Sequence, residues 1–169
     1  QEQGVETVVL EAGRIAGGQT CNTTAKITSQ HNLIYGYLRE KFGAEKAGMY
    51  AHANQQAIEN YARIIEKERV DCQFLRCPSF LYTREESRRG ELEQEVETAK
   101  SLGIAASFVT DTELPFPVEG AVRFENQARF HPLEFIRKIS EKVTVYEESR
   151  VVRLENNCVF TERGMVEGE

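Results

Sequence analysis

Glu11 closes the apolar run Val8-Val9-Leu10 and is followed by Gly13, Gly17, Gly18, Gln19, Thr20, Asn22, Thr23 and Thr24. A carboxylate at the end of a parallel strand accepts hydrogen bonds from ribose hydroxyls in dinucleotide sites. Glycines allow close approach of backbone to a ligand, and hydroxyls, an amide and backbone N–H groups suit a diphosphate. In such a unit a glycine-rich turn precedes the acid by about 20 residues, whereas ten residues precede Glu11 here. Two readings follow. Either Glu11 is the ribose acid, its glycine fingerprint lies upstream of Gln1 and the chain is a piece of a longer protein, or an edge strand ends on a solvated carboxylate before a polar surface loop. Residues 1–11 support both equally.

Other chemistry-bearing residues have structural readings. Cys21, Cys72, Cys77 and Cys158 read as reduced thiols, because no secretory signal accompanies them. Cys72 and Cys77 are separated by an odd number and point to opposite faces of a continuous strand. His31, His52 and His131 have no ligand-like spacing, so no metal site is expected. His131, ahead of Pro132, reads as a helix cap and His52 as a solvated helix residue, while His31 is the histidine that would sit near a cofactor. Tyr82, Arg76 and Arg84 have the chemistry to meet a substrate carboxylate, but Arg84 belongs to a charge cluster that reads as a solvated face. Phe124 and Phe130 read as core.

The chain must position these groups within 169 residues of 40% hydrophobic content, enough for one ordinary domain core. Its formal charge of -6 comes without a basic block, which argues against nucleic acid as a partner. The apolar runs are too short to span a bilayer, and residues 1–4 lack the regions of a signal peptide. The expectation is a soluble, cytoplasmic protein.

Residues 1–4 read as a frayed helix end with a terminating glycine, and residues 5–10 as a buried parallel strand. A helix from residue 32, with Ile34, Tyr37, Leu38 and Phe42 on one face, runs to Gly43. A second helix to about Arg69 buries Ala47, Tyr50, Ala51, Asn54, Ala57, Ile58, Tyr61 and Ile65. Residues 71–83, with Pro78 inside, predict two short strands or one bulged strand. A surface helix over 85–102 buries Leu92, Val96, Ala99 and Leu102 and stops at Gly103. Phe108-Val109 forms a brief strand, and residues 120–130 form a strand with Val122, Phe124, Ala128 and Phe130 on one face. After His131-Pro132 a helix buries Leu133, Ile136 and Ile139. Strands follow at 143–146, 150–154 and 158–161, the last two as a hairpin around Glu155-Asn156-Asn157. No closing element is expected after them, and the polar ending reads as a cut. Residues 74–83 and 120–130 are expected in one sheet, with the 85–102 helix linking them outside it.

Residues 11–28, Glu-Ala-Gly-Arg-Ile-Ala-Gly-Gly-Gln-Thr-Cys-Asn-Thr-Thr-Ala-Lys-Ile-Thr, resemble the segment after the second strand in FAD-dependent amine and amino-acid oxidases of the D-amino-acid oxidase, glycine oxidase and sarcosine oxidase superfamily. Ser29-Gln30-His31, Ala53-Asn54-Gln55, the strands from Asp71-Cys72 to Tyr82-Thr83 and residues 126–132, Asn-Gln-Ala-Arg-Phe-His-Pro, resemble one bacterial branch, some of whose members carry a C-terminal Rieske iron-sulfur domain. The resemblance covers nearly the whole chain.

It implies an α/β fold, α+β in part: a truncated FAD-binding Rossmann-like domain plus part of an antiparallel substrate-domain sheet. The expected division is 1–69 for a partial FAD-binding domain, 70–130 for the substrate-side sheet and helix, and 131–169 for the return to the FAD-binding domain. By the resemblance Glu11 holds the adenosine ribose, Ala12 and Arg14 border the adenine side, Gln19 and Thr20 lie by the pyrophosphate, and Thr24, Ala25 and Lys26 approach the flavin. It assigns no catalytic residue. The implied partner is a small-molecule amine or amino acid oxidised by hydride transfer to FAD in the full-length parent. The chain alone is expected to hold little or no FAD, and either to form a homodimer through the exposed edge of the 5–10 strand or to rearrange its N-terminus. The rival reading is a non-catalytic α+β module that binds a small molecule or a protein.

Overall fold

The computed structural model describes residues 4–168. Of the expected helix end, residues 1–3 lie outside the described residues, and Gly4 has the positive φ of 78° that a terminating glycine adopts. Two compact units emerge, one from Gln1–Ala25, Glu68–Cys72 and His131–Glu169, the other from Lys26–Lys67 and Gln73–Phe130.

In the first unit β1 (Val8–Leu10) pairs in parallel with β6 (Thr144–Tyr146), Val9 opposite Val145. The parallel pairing matches expectation but the burial does not: Val8 and Val9 are 36% and 41% exposed. Parallel strands become buried where elements cover both faces, and this sheet has two strands among the described residues. Helix α3 (Pro132–Ser140) starts with proline in its first turn, and His131 caps it by accepting the Glu134 amide at Nδ1, 3.3 Å away. Its buried residue is Phe135, whereas Leu133, expected inside, is exposed. The hairpin of β7 (Val151–Glu155) and β8 (Cys158–Thr161) turns at Asn156, whose φ is 52°. A strand not expected from sequence, β9 (Met165–Glu167), pairs with β8 and closes a three-stranded sheet.

The second unit is a four-stranded antiparallel sheet backed by helices. Strand β5 (Gly120–Arg129) is its centre, with β3 (Leu75–Thr83) along one edge, and β2 (Lys26–Ile27) and β4 (Ala106–Val109) pairing with opposite ends of the other. The expected neighbourhood of residues 74–83 and 120–130 is therefore direct pairing, with Tyr82 opposite Ala121. The bulge foreseen at Pro78 is also present: the register shifts between Cys77 and Ser79. Opposite it, Asn126 of β5 adopts a φ of 58°, and two successive residues, Gln127 and Ala128, are buried where strict alternation would expose one.

Helix α1 (Tyr35–Glu68) contains both expected helices, broken at Gly43, whose φ of 83° and ψ of 165° are not helical. Tyr35 is its fully buried aromatic. Tyr37 and Phe42, expected inside, lie outside and pack edge to face 6.4 Å apart beneath the Lys41 ammonium. Ala47, Ala51, Ile58 and Ile65 are buried as expected, but Ala57 faces solvent and Tyr61 is 37% exposed. Helix α2 (Arg89–Ser101) follows a short 3₁₀ turn and buries Leu92, Val96 and Ala99. These residues join Tyr35, Ala51, Ala106, Val122 and Phe124 in one core, and Ile27, Ile58 and Ala128 form a second cluster with Phe74 and Phe130. Because α1 buries its stripe on the sheet, residues 26–67 pack with 73–130.

Candidate functional site

The carboxyl ends of two parallel strands place the loop that starts at Glu11. Beyond β1 and β6 the chain continues as an interlocked pair of segments. The Glu11 amide donates to the Tyr146 carbonyl at 2.9 Å, the Ser149 amide to the Glu11 carbonyl at 2.8 Å, and the Glu148 amide to the Gly13 carbonyl at 2.8 Å. Glu147 contributes a carboxylate oxygen that accepts the Ile15 amide at 2.7 Å. Glu147, Glu148 and Ser149 were absent from the sequence reading; the acids directly after an apolar strand were their only signal.

Within this brace Glu11 Oε1 accepts the Gly13 amide at 2.7 Å. The side chain is thereby oriented, and Oε2 carries no hydrogen bond among the described residues. The loop then turns at Gly17, whose amide donates to the Arg14 carbonyl at 2.9 Å. A Cβ at Gly17 would meet that carbonyl oxygen at 3.1 Å, so a small residue is favoured there. A 3₁₀ turn over Gln19–Asn22 follows, in which Cys21 Sγ and Asn22 Nδ2 both donate to the Gly18 carbonyl.

The structure places the expected residues as follows. Glu11 is half-buried, Ala12, Arg14, Gln19 and Thr24 are exposed, and Thr20 and Ala25 are partly covered. Ala25 has a φ of 62° and donates its amide to the Thr23 hydroxyl at 3.3 Å. These seven belong to the first unit, whereas Lys26 opens β2 in the second, opposite Arg129. An oriented carboxylate with an unused oxygen, at the carboxyl end of a parallel strand, followed by exposed hydroxyl and amide groups, has the donor and acceptor chemistry that a ribose and a diphosphate require. The residues present fit that half of FAD. A groove of about 400 Å³ along β1, β6 and β9, with Val8, Leu10, Tyr146 and Met165 in its wall, is lined by none of them.

A second constellation lies where β2 leads into α1. Gln127 is 1% exposed, and its Oε1 accepts from the Ser29 amide at 2.8 Å and the Thr28 hydroxyl at 3.0 Å. Its Nε2 donates to the Glu125 carbonyl at 2.8 Å. Gln55 Nε2 donates to Ser29 Oγ at 2.8 Å, Tyr35 donates its hydroxyl to the Ser29 carbonyl at 2.7 Å, and Ser79 is hydrogen-bonded to Gln30. Thus four stretches that carry the family resemblance, at 28–30, 55, 79 and 127, meet in one network. Burial pushes the Tyr35 phenol up to about 12.

The remaining candidates are engaged elsewhere. His31 Nδ1 lies 2.7 Å from the Tyr50 hydroxyl, and His52 is exposed. Arg76 pairs with Glu59 at 2.7 Å and donates to the Asn126 carbonyl, Tyr82 packs on Phe116, and Arg84 lies over the same ring. All four cysteines are free thiols. Among the described residues no helix is long and apolar enough to cross a membrane.

Comparisons with known proteins address the same region. A protein from Bacillus subtilis (strain 168), named as the Rieske 2Fe-2S iron-sulfur protein YhfW, is 33% identical over 153 residues, covering 88% of this chain and 30% of that protein. Among solved structures, L-proline dehydrogenase from P. horikoshii superposes with a TM-score of 0.70 at 15% identity, over 98% of this chain and 45% of that one. Glycine oxidase from Bacillus cereus ATCC 14579 gives 0.67 at 18% identity, over 98% and 47%. L-Amino acid deaminase from Proteus myxofaciens, solved with anthranilate, gives 0.67 at 16% identity, over 98% and 39%. The chain therefore spans about a third of its curated relative and less than half of these solved proteins. These likenesses agree in fold with the α/β architecture of an FAD-binding domain. The model of one family, described as FAD dependent oxidoreductase, matches residues 1–168, and the chain belongs to that family.

Proposed function

We propose that this chain is part of an FAD-dependent oxidoreductase that oxidises an amine or amino acid. The observation that carries the reading is the Glu11 carboxylate, oriented by the Gly13 amide at 2.7 Å beyond the end of a strand in a parallel pair. Glu11 receives the ribose hydroxyls at its unused oxygen. Ala12 and Arg14 border the adenine, Gln19 and Thr20 serve the pyrophosphate, and Thr24, Ala25 and Lys26 approach the flavin. Residues 1–69 and 131–169 contribute to the cofactor-binding part, and 70–130 to the substrate side. When bound, FAD supplies a hydride acceptor for the carbon next to the substrate nitrogen, leaving an imine that water hydrolyses.

Glycine oxidase and L-amino acid deaminase among the neighbours support the substrate class. The hydrogen bonds between 11–15 and 146–149 tie down the start of the cofactor loop at Glu11, Gly13 and Ile15, which lowers the ordering cost of binding there. The full-length protein, purified and desalted, is expected to carry flavin absorbance near one equivalent and to bleach anaerobically with an amine or amino-acid substrate. A colourless protein that takes up no FAD on titration contradicts the reading.

A further inference from the structure

Gln127 is buried, polar, distant in sequence from its partners and unused by the cofactor loop, so its retention in the sheet needs a reason. A buried amide is costly unless satisfied. Here the cost is met by a specific arrangement: Oε1 receives the Ser29 amide and the Thr28 hydroxyl, and Nε2 reaches the Glu125 carbonyl. The β3–β5 irregularity lies beside it, with Asn126 at a φ of 58° and the register shifted between Cys77 and Ser79. Bulges re-aim side chains, often beside functional sites.

Two residues before Thr28, Lys26 begins β2, which is paired to β5 at only two positions, Lys26 with Arg129 and Ile27 with Ala128. So short a ladder holds a strand weakly. The amide of Gln127 pins the residues that follow β2, and Thr28 adds an acceptor for the Gln30 amide at 2.9 Å. Gln55 and Tyr35 hold Ser29 from α1.

We infer that Gln127 is a positioning residue which, through Thr28 and Ser29, fixes β2 and with it the placement of Lys26 toward the flavin. This rests on the proposed assignment of Lys26. Gln127 itself touches no cofactor atom in this role. Its effect is read on bound flavin, because a shifted cation near the ring alters the flavin's visible bands.

The test uses the full-length protein, with FAD as the probe. Gln127→Met removes both polar ends at similar volume, Thr28→Val removes the hydroxyl, and Thr28→Ser restores it. FAD dissociation constants are measured by titration together with the bound visible spectrum. Gln127→Met and Thr28→Val are expected to weaken FAD about tenfold, the equivalent of one or two hydrogen bonds, and to displace the flavin bands, while Thr28→Ser stays within about twofold of wild type with unshifted bands. If Gln127→Met does not fold, the Thr28 pair decides. Wild-type bands in both Gln127→Met and Thr28→Val, with or without weaker binding, show a purely structural network and overturn the inference. An unmutated protein that binds no FAD overturns the assignment of Lys26 and the inference with it.

Discussion

Glu95 of α2 accepts the Tyr35 amide of α1 at 2.8 Å with one carboxylate oxygen and the Gly36 amide at 2.8 Å with the other. The two helices are thus joined head to side across 60 residues of sequence. The first amides of a helix have no partner inside it, and a carboxylate there also meets the positive end of the helix dipole. Glu95 is 3% exposed, so water cannot replace it. This capping sets where α1 begins and turns Tyr35, rather than Tyr37, into the core.

Glu95→Ala strands the buried Tyr35 amide and the half-buried Gly36 amide. The expected loss is about 2 to 4 kcal/mol, since bonds to charged groups contribute about 1.5 to 3 kcal/mol each and are not additive. Denaturant unfolding of wild type and variant checks this, and a loss below about 0.5 kcal/mol contradicts the capping role.

Tyr35 gives the stability a signature in alkali. Its phenol is raised from 10.0 to about 12, chiefly by desolvation, so the unfolded chain loses this proton at lower pH than the folded one. The folded pKa is the higher of the two, so the contribution is complete below pH 10 and is lost as pH rises toward 12. Tyr35→Phe removes the titration and leaves the Ser29 carbonyl without its donor, a cost of about 1 kcal/mol at pH 7. The difference in unfolding free energy between wild type and Tyr35→Phe is expected to move against wild type by about 2 to 3 kcal/mol between pH 9 and pH 12. An unchanged difference contradicts the burial of that hydroxyl.

Gly120 opens β5 where the Phe108 ring crosses the backbone, and a Cβ there would meet ring carbons at 2.3 and 2.5 Å. Gly120→Ala forces that ring, which lies 4.9 Å beneath the Arg89 guanidinium, to move. The expected cost is about 1 to 3 kcal/mol, measured by thermal or denaturant unfolding. A variant as stable as wild type shows that the ring has room to rotate away.

Asn126 sits in the left-handed region, at a φ of 58°, and its carbonyl accepts Arg76 Nη1 at 2.9 Å. Asn126→Gly is expected to be neutral within about 0.5 kcal/mol, and Asn126→Val to cost about 1 to 2 kcal/mol. Equal stabilities for the two variants contradict the bulge at this position.

Local periodicity made most elements legible. The stripe Leu92, Val96, Ala99 reads as a helix face because residues three and four apart share one side, and Gly103 ends the helix with a φ of 84°. The β3–β5 pairing and the hairpin at Asn156 follow from alternating or β-branched residues bounded by turn formers. Polar burial was not legible. Glu95, Gln127, Ser29 and Thr98 have charged, amide or hydroxyl side chains that composition assigns to the surface, and what buries them is a partner 60 or 98 residues away or a helix end. The exposure of Val8 and Val9 was missed because an apolar run says that a strand will seek cover, not whether cover is present. Strand β9 was missed because Met165, Val166 and Glu167 are too few to show a period. In the candidate site, Glu11 and the loop after it were legible, but the bracing acids Glu147 and Glu148 were not, because only the fold brings β6 beside β1.

The central claim is that Glu11 holds the ribose of FAD. FAD titration of the full-length protein carrying Glu11→Ala, beside wild type, tests it most directly. Loss of a charged acceptor contributing about 1.5 to 3 kcal/mol is expected to raise the FAD dissociation constant roughly tenfold to a hundredfold. A variant that holds FAD as tightly as wild type makes Glu11 a solvated strand end and contradicts the placement of the cofactor loop.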